Sequence, residues 1–424
     1  MKVDPQQLLE DGYLILRQVV QPDQLDALRL SVEVLVDRQK ARSAAERGAD
    51  ESLGGTWYAA AQPRLFIDEL LCAETANVVD LVLGERTFGV SQQLMCAPET
   101  VVNAMMVLCS GLIEFGYTDW HRDSSAAEQA PLGGLQADLQ DNMPGYLQWN
   151  IPLYDDDVLW VVPGSHRRPD NEEQRRQLLL DPRVELPGGV PVDLKAGDAV
   201  VYTNLIMHWG SFYSSRLRRT IHLGYRSFGG EIFPYSHHFH YDEGLGFTRH
   251  LSTAAAAKFE QFVALFRQER DQIEQIWRAV IARDAAAFCA GLEKLHPGKN
   301  GRMVSVVLLS RMVDMVGTLH RPEIATASDE VRAAAVSGPA DPSFYEDLAR
   351  RFTAEEAATL QRRFATLSAR LQADGDVVHA HYAALLAEHE PDAEPPNFAS
   401  RPLRTFHTEM PDFSEEDFIR SWDS

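Results

Sequence analysis

TDWHRDS, running from Thr118 to Ser124, is the stretch on which the reading of this 424-residue chain turns. Side chains two apart on an extended strand point to the same side, so His121 and Asp123 can present an imidazole and a carboxylate to one point. On both sides the sequence breaks into short apolar runs separated by Gly, Pro and Asp. They are VVNAMMVLCSGLI from Val101, GYLQWNIPLY from Gly145, VLWVVPG from Val158, GDAVVYT from Gly197 and RTIHLGYRSF from Arg219. Runs of this length predict a β-rich core between about residues 100 and 230, an antiparallel sandwich or barrel.

A His-x-Asp spacing alone is weak evidence, since roughly one chance match is expected in a chain with this many histidines. His240-Tyr241-Asp242 is a second example. The residues downstream of each motif separate the two. After the strand-like GDAVVYT comes His208 in NLIMHWG, 87 residues beyond His121, and Arg219 lies 11 further on. Two imidazoles and a carboxylate on one face of an octahedron leave three positions open. That is the arrangement in which a non-haem Fe(II) oxygenase holds a bidentate co-substrate and dioxygen. A guanidinium with its fixed fork of donors suits the far carboxylate of a dicarboxylic co-substrate. No such series comes after His240, and the tract containing His237, His238 and His240 reads as a solvated or locally hydrogen-bonded loop.

Five pieces in order carry a resemblance: LLEDGYLILRQVVQPDQLDALR from Leu8, the motif WHRD, LWVVPGSHR from Leu159, GDAVVY, and HWGSFYSSRLRRTIHLGYR from His208. Over roughly residues 5–230 the chain resembles the phytanoyl-CoA dioxygenase-like branch of the Fe(II)/2-oxoglutarate oxygenases. The resemblance implies a double-stranded β-helix, the jelly-roll or cupin-like core, with flanking helices. It implies Fe(II) on His121, Asp123 and His208, 2-oxoglutarate as co-substrate gripped by Arg219, and dioxygen at the remaining position. The implied reaction hydroxylates an unactivated C–H bond of a small molecule and releases succinate and carbon dioxide. A carboxylate ligand leaves no position for halide, which disfavours the halogenating variant. The chain departs from the family pattern at Trp209 and Tyr213, and in the turn Asp155-Asp156-Asp157 before LWVVPGSH.

Gln148 and Asn150 share one face of their strand and Trp149 takes the other, so the amide pair is a candidate for co-substrate or substrate contact. Asn103, on the strand before the motif, is a further candidate. Arg218 is Arg219's neighbour and competitor on the opposite strand face. His166 in PGSHR is explained by turn chemistry. Two other readings stay open: a metal-dependent hydrolase on the same three ligands, which does not explain Arg219, and a non-catalytic small-molecule binder.

Forty basic against 62 acidic residues give a net charge of −22, which opposes adhesion to nucleic acid or anionic membrane. The start MKVDPQQ lacks a targeting pattern, the longest greasy stretch, Met303 to Val316, is interrupted by Arg311 and Asp314, and the four cysteines show no metal or disulfide spacing. A cytoplasmic protein without membrane spans is expected. Residues 1–245 are expected to form the oxygenase domain and 246–424 an α-helical region, a lid or a homodimer element. There Phe259, Phe262, Val263, Phe266, Ile273, Trp277 and Val280 fall on one helical face. Asp23, Thr353 with Glu356, and Ser343 with Glu346 are candidate helix caps, residues 320–342 and 388–402 read as loops, and the acidic tail either docks through Phe413, Phe418 and Trp422 or is a disordered end.

Overall fold

The apolar runs become strands. A computed structural model describes residues 2–51, 53–124, 130–228, 245–336, 342–390 and 409–423. Its strands are β1 (Tyr13–Leu16), β2 (Arg64–Phe66), β3 (Thr100–Cys109), β4 (Gly116–Tyr117), β5 (Tyr146–Pro152), β6 (Trp160–Val161), β7 (Val190–Pro191), β8 (Ala199–Thr203), β9 (His208–Trp209), β10 (Ser211–Phe212) and β11 (Arg219–Ser227). Six pair antiparallel in the order β1-β8-β5-β11-β3-β2. The short strands form β7-β6-β9 and β10-β4, and only Gly210 separates β9 from β10.

Alternation gives the six-stranded sheet two different faces. Leu147, Trp149, Ile151, Val201, Ile221, Leu223 and Tyr225 pack on one face against Leu28, Val32, Leu35 and Val36 of the helix Pro22–Glu46, and against Phe259, Phe262, Val263 and Phe266. We call this the outer face. The inner face carries Gln148, Asn150, Thr220 and His222, all buried, so polar groups sit where a core would normally be apolar.

The helices beyond residue 253 are not a separate appendage. The helix Thr253–Ala282 runs from the outer-face core into a second core, where Ile273, Trp277 and Val280 meet Phe288, Leu309, Leu360 and Phe364, together with Leu132, Leu135 and Leu139 from the β-rich half. The aromatic stripe is thus buried within the chain. The tail docks as well: Phe418 is fully buried and Trp422 nearly so, both against Phe288. Among the described residues no helix is long and apolar enough to cross a membrane.

Several local expectations are corrected. The β-rich stretch is interrupted by the helices Leu132–Asn142 and Glu172–Leu180, the first marked in sequence by Leu132, Leu135 and Leu139 at helical spacing. Gln21, not Asp23, caps the helix that Pro22 begins. Thr353 and Glu356 do form a capping box, whereas Ser343 lies inside the helix Pro342–Arg350. Residues 320–342 hold two short helices, Pro322–Ala325 and Asp329–Ala335, rather than one loop. The tract with His237, His238 and His240 lies outside the described residues.

His166 is structural. Its Nε2 donates to the Leu9 carbonyl at 2.9 Å, closing the PGSHR turn over the helix Pro5–Asp11. Its Nδ1 is buried without a hydrogen-bond partner among the described residues. Gly12 sits against it at φ +83°, where a Cβ would come within 2.4 Å of that nitrogen. Burial pushes the imidazole down to about 4 from an ordinary 6.5. The unfolded chain therefore binds a proton between those values that the folded chain refuses, so stability is complete above pH 6.5 and falls as pH drops toward 4. The loss at the acid end is about 3 kcal/mol from this group. Urea unfolding of the wild type and His166→Gln at pH 7, 5.5 and 4 should show a shallower acid slope in the variant; equal slopes would refute the assignment.

Candidate functional site

Two segments of backbone are zipped together to make the site. His121 and His208 exchange hydrogen bonds, each N–H donating to the other's carbonyl at 2.9 Å. Asp123 N–H donates to the Asn204 carbonyl at 2.9 Å and Thr118 N–H to the Gly210 carbonyl at 3.0 Å. This ladder brings together residues far apart in sequence and sets their side chains on one side.

The result is a cluster in which one ligand atom each from His121, Asp123 and His208 lies within 4.8 Å of the others. His121 Nε2 is 3.7 Å from Asp123 Oδ1, and His208 Nε2 is 3.5 Å from Asp123 Oδ2. The remaining ring nitrogens are committed elsewhere: His121 Nδ1 donates to the Asp119 carbonyl at 2.7 Å and His208 Nδ1 to the Ile206 carbonyl at 3.0 Å. That fixes both rings with Nε2 turned inward, the nitrogen that would give up its proton and offer its lone pair to a metal. Gln148 Nε2 donates to Asp123 Oδ2 at 2.8 Å, while Gln148 Oε1 is buried with no hydrogen-bond partner among the described residues. Burial alone would raise the Asp123 carboxyl. The hydrogen bond and charge of His208, the charge of His121 and the Gln148 amide instead hold it well below the usual carboxylate range. Two convergent imidazoles, one ionised carboxylate and an unsatisfied amide oxygen beside them are a donor set that fits a divalent iron-type ion.

Behind the ligands, Trp209 stacks between Tyr117 and Trp120 with ring centroids 4.3 and 4.7 Å away. Arg122, between the two ligands of WHRD and fully buried, pairs with both oxygens of Asp170 at 2.7 and 2.9 Å and donates to the Leu205 carbonyl. Sequence reading passed over this arginine; its place inside the motif was the available signal. Because ligand and arginine alternate, the residue that ties the loop down is the one the metal face cannot use.

Arg219 is a correction. Its strand parity puts it on the outer face, where Nε and Nη2 donate to Glu33 at 2.7 and 3.1 Å and Nη1 to the Arg218 carbonyl. Glu33 belongs to the helix packed on that face, so this guanidinium is held away from the cluster. Arg218 instead shares the inner face with Thr220, His222, Asn150 and Gln148. Arg218 Nε donates to Asp156 Oδ2 at 2.8 Å, as does the Thr220 hydroxyl at 2.7 Å. Between Arg218 and the cluster stand Asn150, which accepts from His222 Nδ1 at 2.7 Å, and the buried Tyr202. Burial first, then the nearby charge of Asp123, raises the Tyr202 phenol, and the charge of Arg218 opposes this. Asn150 is thus engaged internally. Asn103 is buried at the register shift of β3 opposite Gly224 and Tyr225.

A cavity of about 620 Å³ opens onto His121 and Asp123 and is lined further by Gln39, Trp57, Arg64, Thr118 and Phe212. The phytanoyl-CoA dioxygenase family model matches residues 8–220. The chain belongs to that family. No curated protein matches the sequence. Solved structures similar to this family member include AviO1 from Streptomyces viridochromogenes, at 21% identity over 54% of this chain and 96% of that one, with a TM-score of 0.38. They also include the non-heme alpha ketoglutarate dependent epimerase SnoN from nogalamycin biosynthesis, at 18% identity over 53% and 80%, with a TM-score of 0.36. EctD from S. alaskensis, solved with 2-oxoglutarate and 5-hydroxyectoine, is 18% identical over 53% and 76%, with a TM-score of 0.39.

In this family member Gln148 should matter through Asp123. Gln148→Ala removes the donor that orients the carboxylate, and metal affinity should fall by about 10- to 100-fold with little change in fold. Competition titration of divalent metal against a chelator checks this; affinity unchanged would mean that the carboxylate is oriented without the amide.

Proposed function

We propose that this chain is a non-haem iron, 2-oxoglutarate-dependent oxygenase built on a double-stranded β-helix spanning about residues 1–245, with the helical part from 246 bracing it. The observation that carries the reading is the convergence of His121, Asp123 and His208 beside the inner face of the six-stranded sheet, where Gln148 meets Asp123 and where Arg218 keeps two terminal nitrogens without a partner among the described residues. His121, Asp123 and His208 would hold Fe(II), and Arg218 would take the far carboxylate of 2-oxoglutarate. The bound iron and 2-oxoglutarate supply dioxygen activation coupled to decarboxylation, with hydroxylation of a small-molecule C–H bond as the outcome we favour.

The chain's own groups orient and shield. Anchoring of both rings by the Asp119 and Ile206 carbonyls keeps the two Nε2 atoms aimed at one point, and Gln148 holds Asp123 to a fixed orientation. Tyr202, Asn150 and His222 make a hydrogen-bonding floor between the ligands and Arg218 on which a polar co-substrate is seated without bulk water. The cavity beside His121 and Asp123 is lined by two amides, two hydroxyls, two aromatics and one arginine, a surface for a polar small molecule. A water-activating metal hydrolase would leave the free fork of Arg218 without a task.

Mixing Fe(II) and 2-oxoglutarate with the protein under argon should give the visible metal-to-ligand absorption of a chelated 2-oxo acid, and admitting oxygen should release succinate. Absence of the band in the wild type would sink the reading. Arg218→Ala should weaken 2-oxoglutarate by about 30-fold or more, the loss of two charge-assisted hydrogen bonds. Arg219→Ala should lower the melting temperature and leave 2-oxoglutarate affinity within about twofold. The reverse pattern would return the anchor to Arg219.

A further inference from the structure

We infer that Asp156 is a positioning residue for the co-substrate: it grips Arg218 by Nε alone and so presents the Nη1/Nη2 fork, end-on, to the far carboxylate of 2-oxoglutarate. This rests on Arg218 being the co-substrate anchor. Asp156 lies in the Asp155-Asp156-Asp157 turn where the sequence departs from its family, and its side chain is only 8% exposed, against 12% for Arg218. Three donors fix it. Val158 N–H donates to Oδ1 at 3.0 Å, while Arg218 Nε and the Thr220 hydroxyl donate to Oδ2 at 2.8 and 2.7 Å. A carboxylate held this way cannot slide along the guanidinium to take the terminal nitrogens as well. The contrast lies within the same turn: Asp157, exposed and without such restraints, accepts twice from Arg216 Nη1.

Two effects of Asp156 oppose each other. Its charge repels an incoming carboxylate, and its hydrogen bonds hold the fork in place. Positioning wins on geometry, because the pair is nearly buried and the fork would otherwise have to find its orientation at the moment of binding. Asparagine cannot substitute. One amide oxygen cannot serve Val158 N–H on one side and two donors on the other, and turning the amide NH2 toward Arg218 Nε sets donor against donor.

Calorimetric titration of the full chain loaded with Fe(II) under argon tests this. The probes are 2-oxoglutarate and pyruvate, a 2-oxo acid that lacks the far carboxylate. Asp156→Asn should weaken 2-oxoglutarate by about tenfold or more, with Fe(II) affinity and the weak pyruvate affinity unchanged. Thr220→Val, which removes one restraint from Asp156 without changing its shape, should weaken 2-oxoglutarate by about two- to fivefold and keeps the test open if Asp156→Asn does not fold. Equal losses for 2-oxoglutarate and pyruvate, no loss in either variant, or tighter 2-oxoglutarate binding in Asp156→Asn would overturn the proposal. Wild-type protein that fails to bind 2-oxoglutarate would overturn the co-substrate reading itself; wild-type binding lost in Arg218→Ala and retained in both other variants would overturn only the role of Asp156.

Discussion

The pair of backbone hydrogen bonds exchanged between His121 and His208 is the constraint on which the site depends. Residues distant in the chain become direct strand neighbours, so two imidazoles stand side by side without any flexible side chain having to reach. Asp123 is placed by the next rung, to Asn204. A buried carboxylate would be costly there if isolated. Flanked by two imidazoles and an amide, it is ionised and held in one orientation. Everything behind the ladder resists its opening: the stacked Trp120 and Trp209 on one side, and the Arg122 fork committed to Asp170 and Leu205 on the other.

How much of this the sequence revealed depended on whether the signal was local or periodic. The strands from Val101 to Phe228 were legible because each is a short apolar run bounded by turn residues, and TDWHRDS set His121 and Asp123 on one side by parity, with the downstream His208 separating it from a chance match. The stripe from Phe259 to Val280 was legible as a buried face; that it bridges two cores was not, because periodicity says which side is apolar and nothing about what meets it. The helix Leu132–Asn142 was missed because Gly133 and Gly134 mask its three leucines. The docking of Phe418 and Trp422 depends on an apolar surface built from Phe288 and Phe364, remote in sequence, which no local pattern announces.

Arg218 and Arg219 show how parity is decided, because both are arginines at the mouth of one strand. Counting from His208 does not fix parity, since the turn between β10 and β11 can absorb or add a residue without disturbing either end. What fixes parity is the apolar alternation downstream: Ile221, Leu223 and Tyr225 must face the Pro22–Glu46 helix, and Arg219 is in phase with them. The hydrophobic pattern therefore outranks the spacing to the ligand. Once Arg219 is on the outer face, Glu33 on the covering helix is a natural counter-charge.

The net charge of −22 bears on the same point. In a chain with so many carboxylates, guanidinium groups tend to be paired off. Around the site Arg122 is held by Asp170, Arg216 by Asp157 and Arg219 by Glu33. Arg218 also has its aspartate, but one tied by a backbone amide and a threonine hydroxyl so that it meets Nε alone. Keeping a fork of donors available beside so much negative charge thus requires a restrained carboxylate rather than none. A guanidinium with no counter-ion at that depth would bear the full cost of desolvation, and one with a mobile counter-ion would have its fork filled from within.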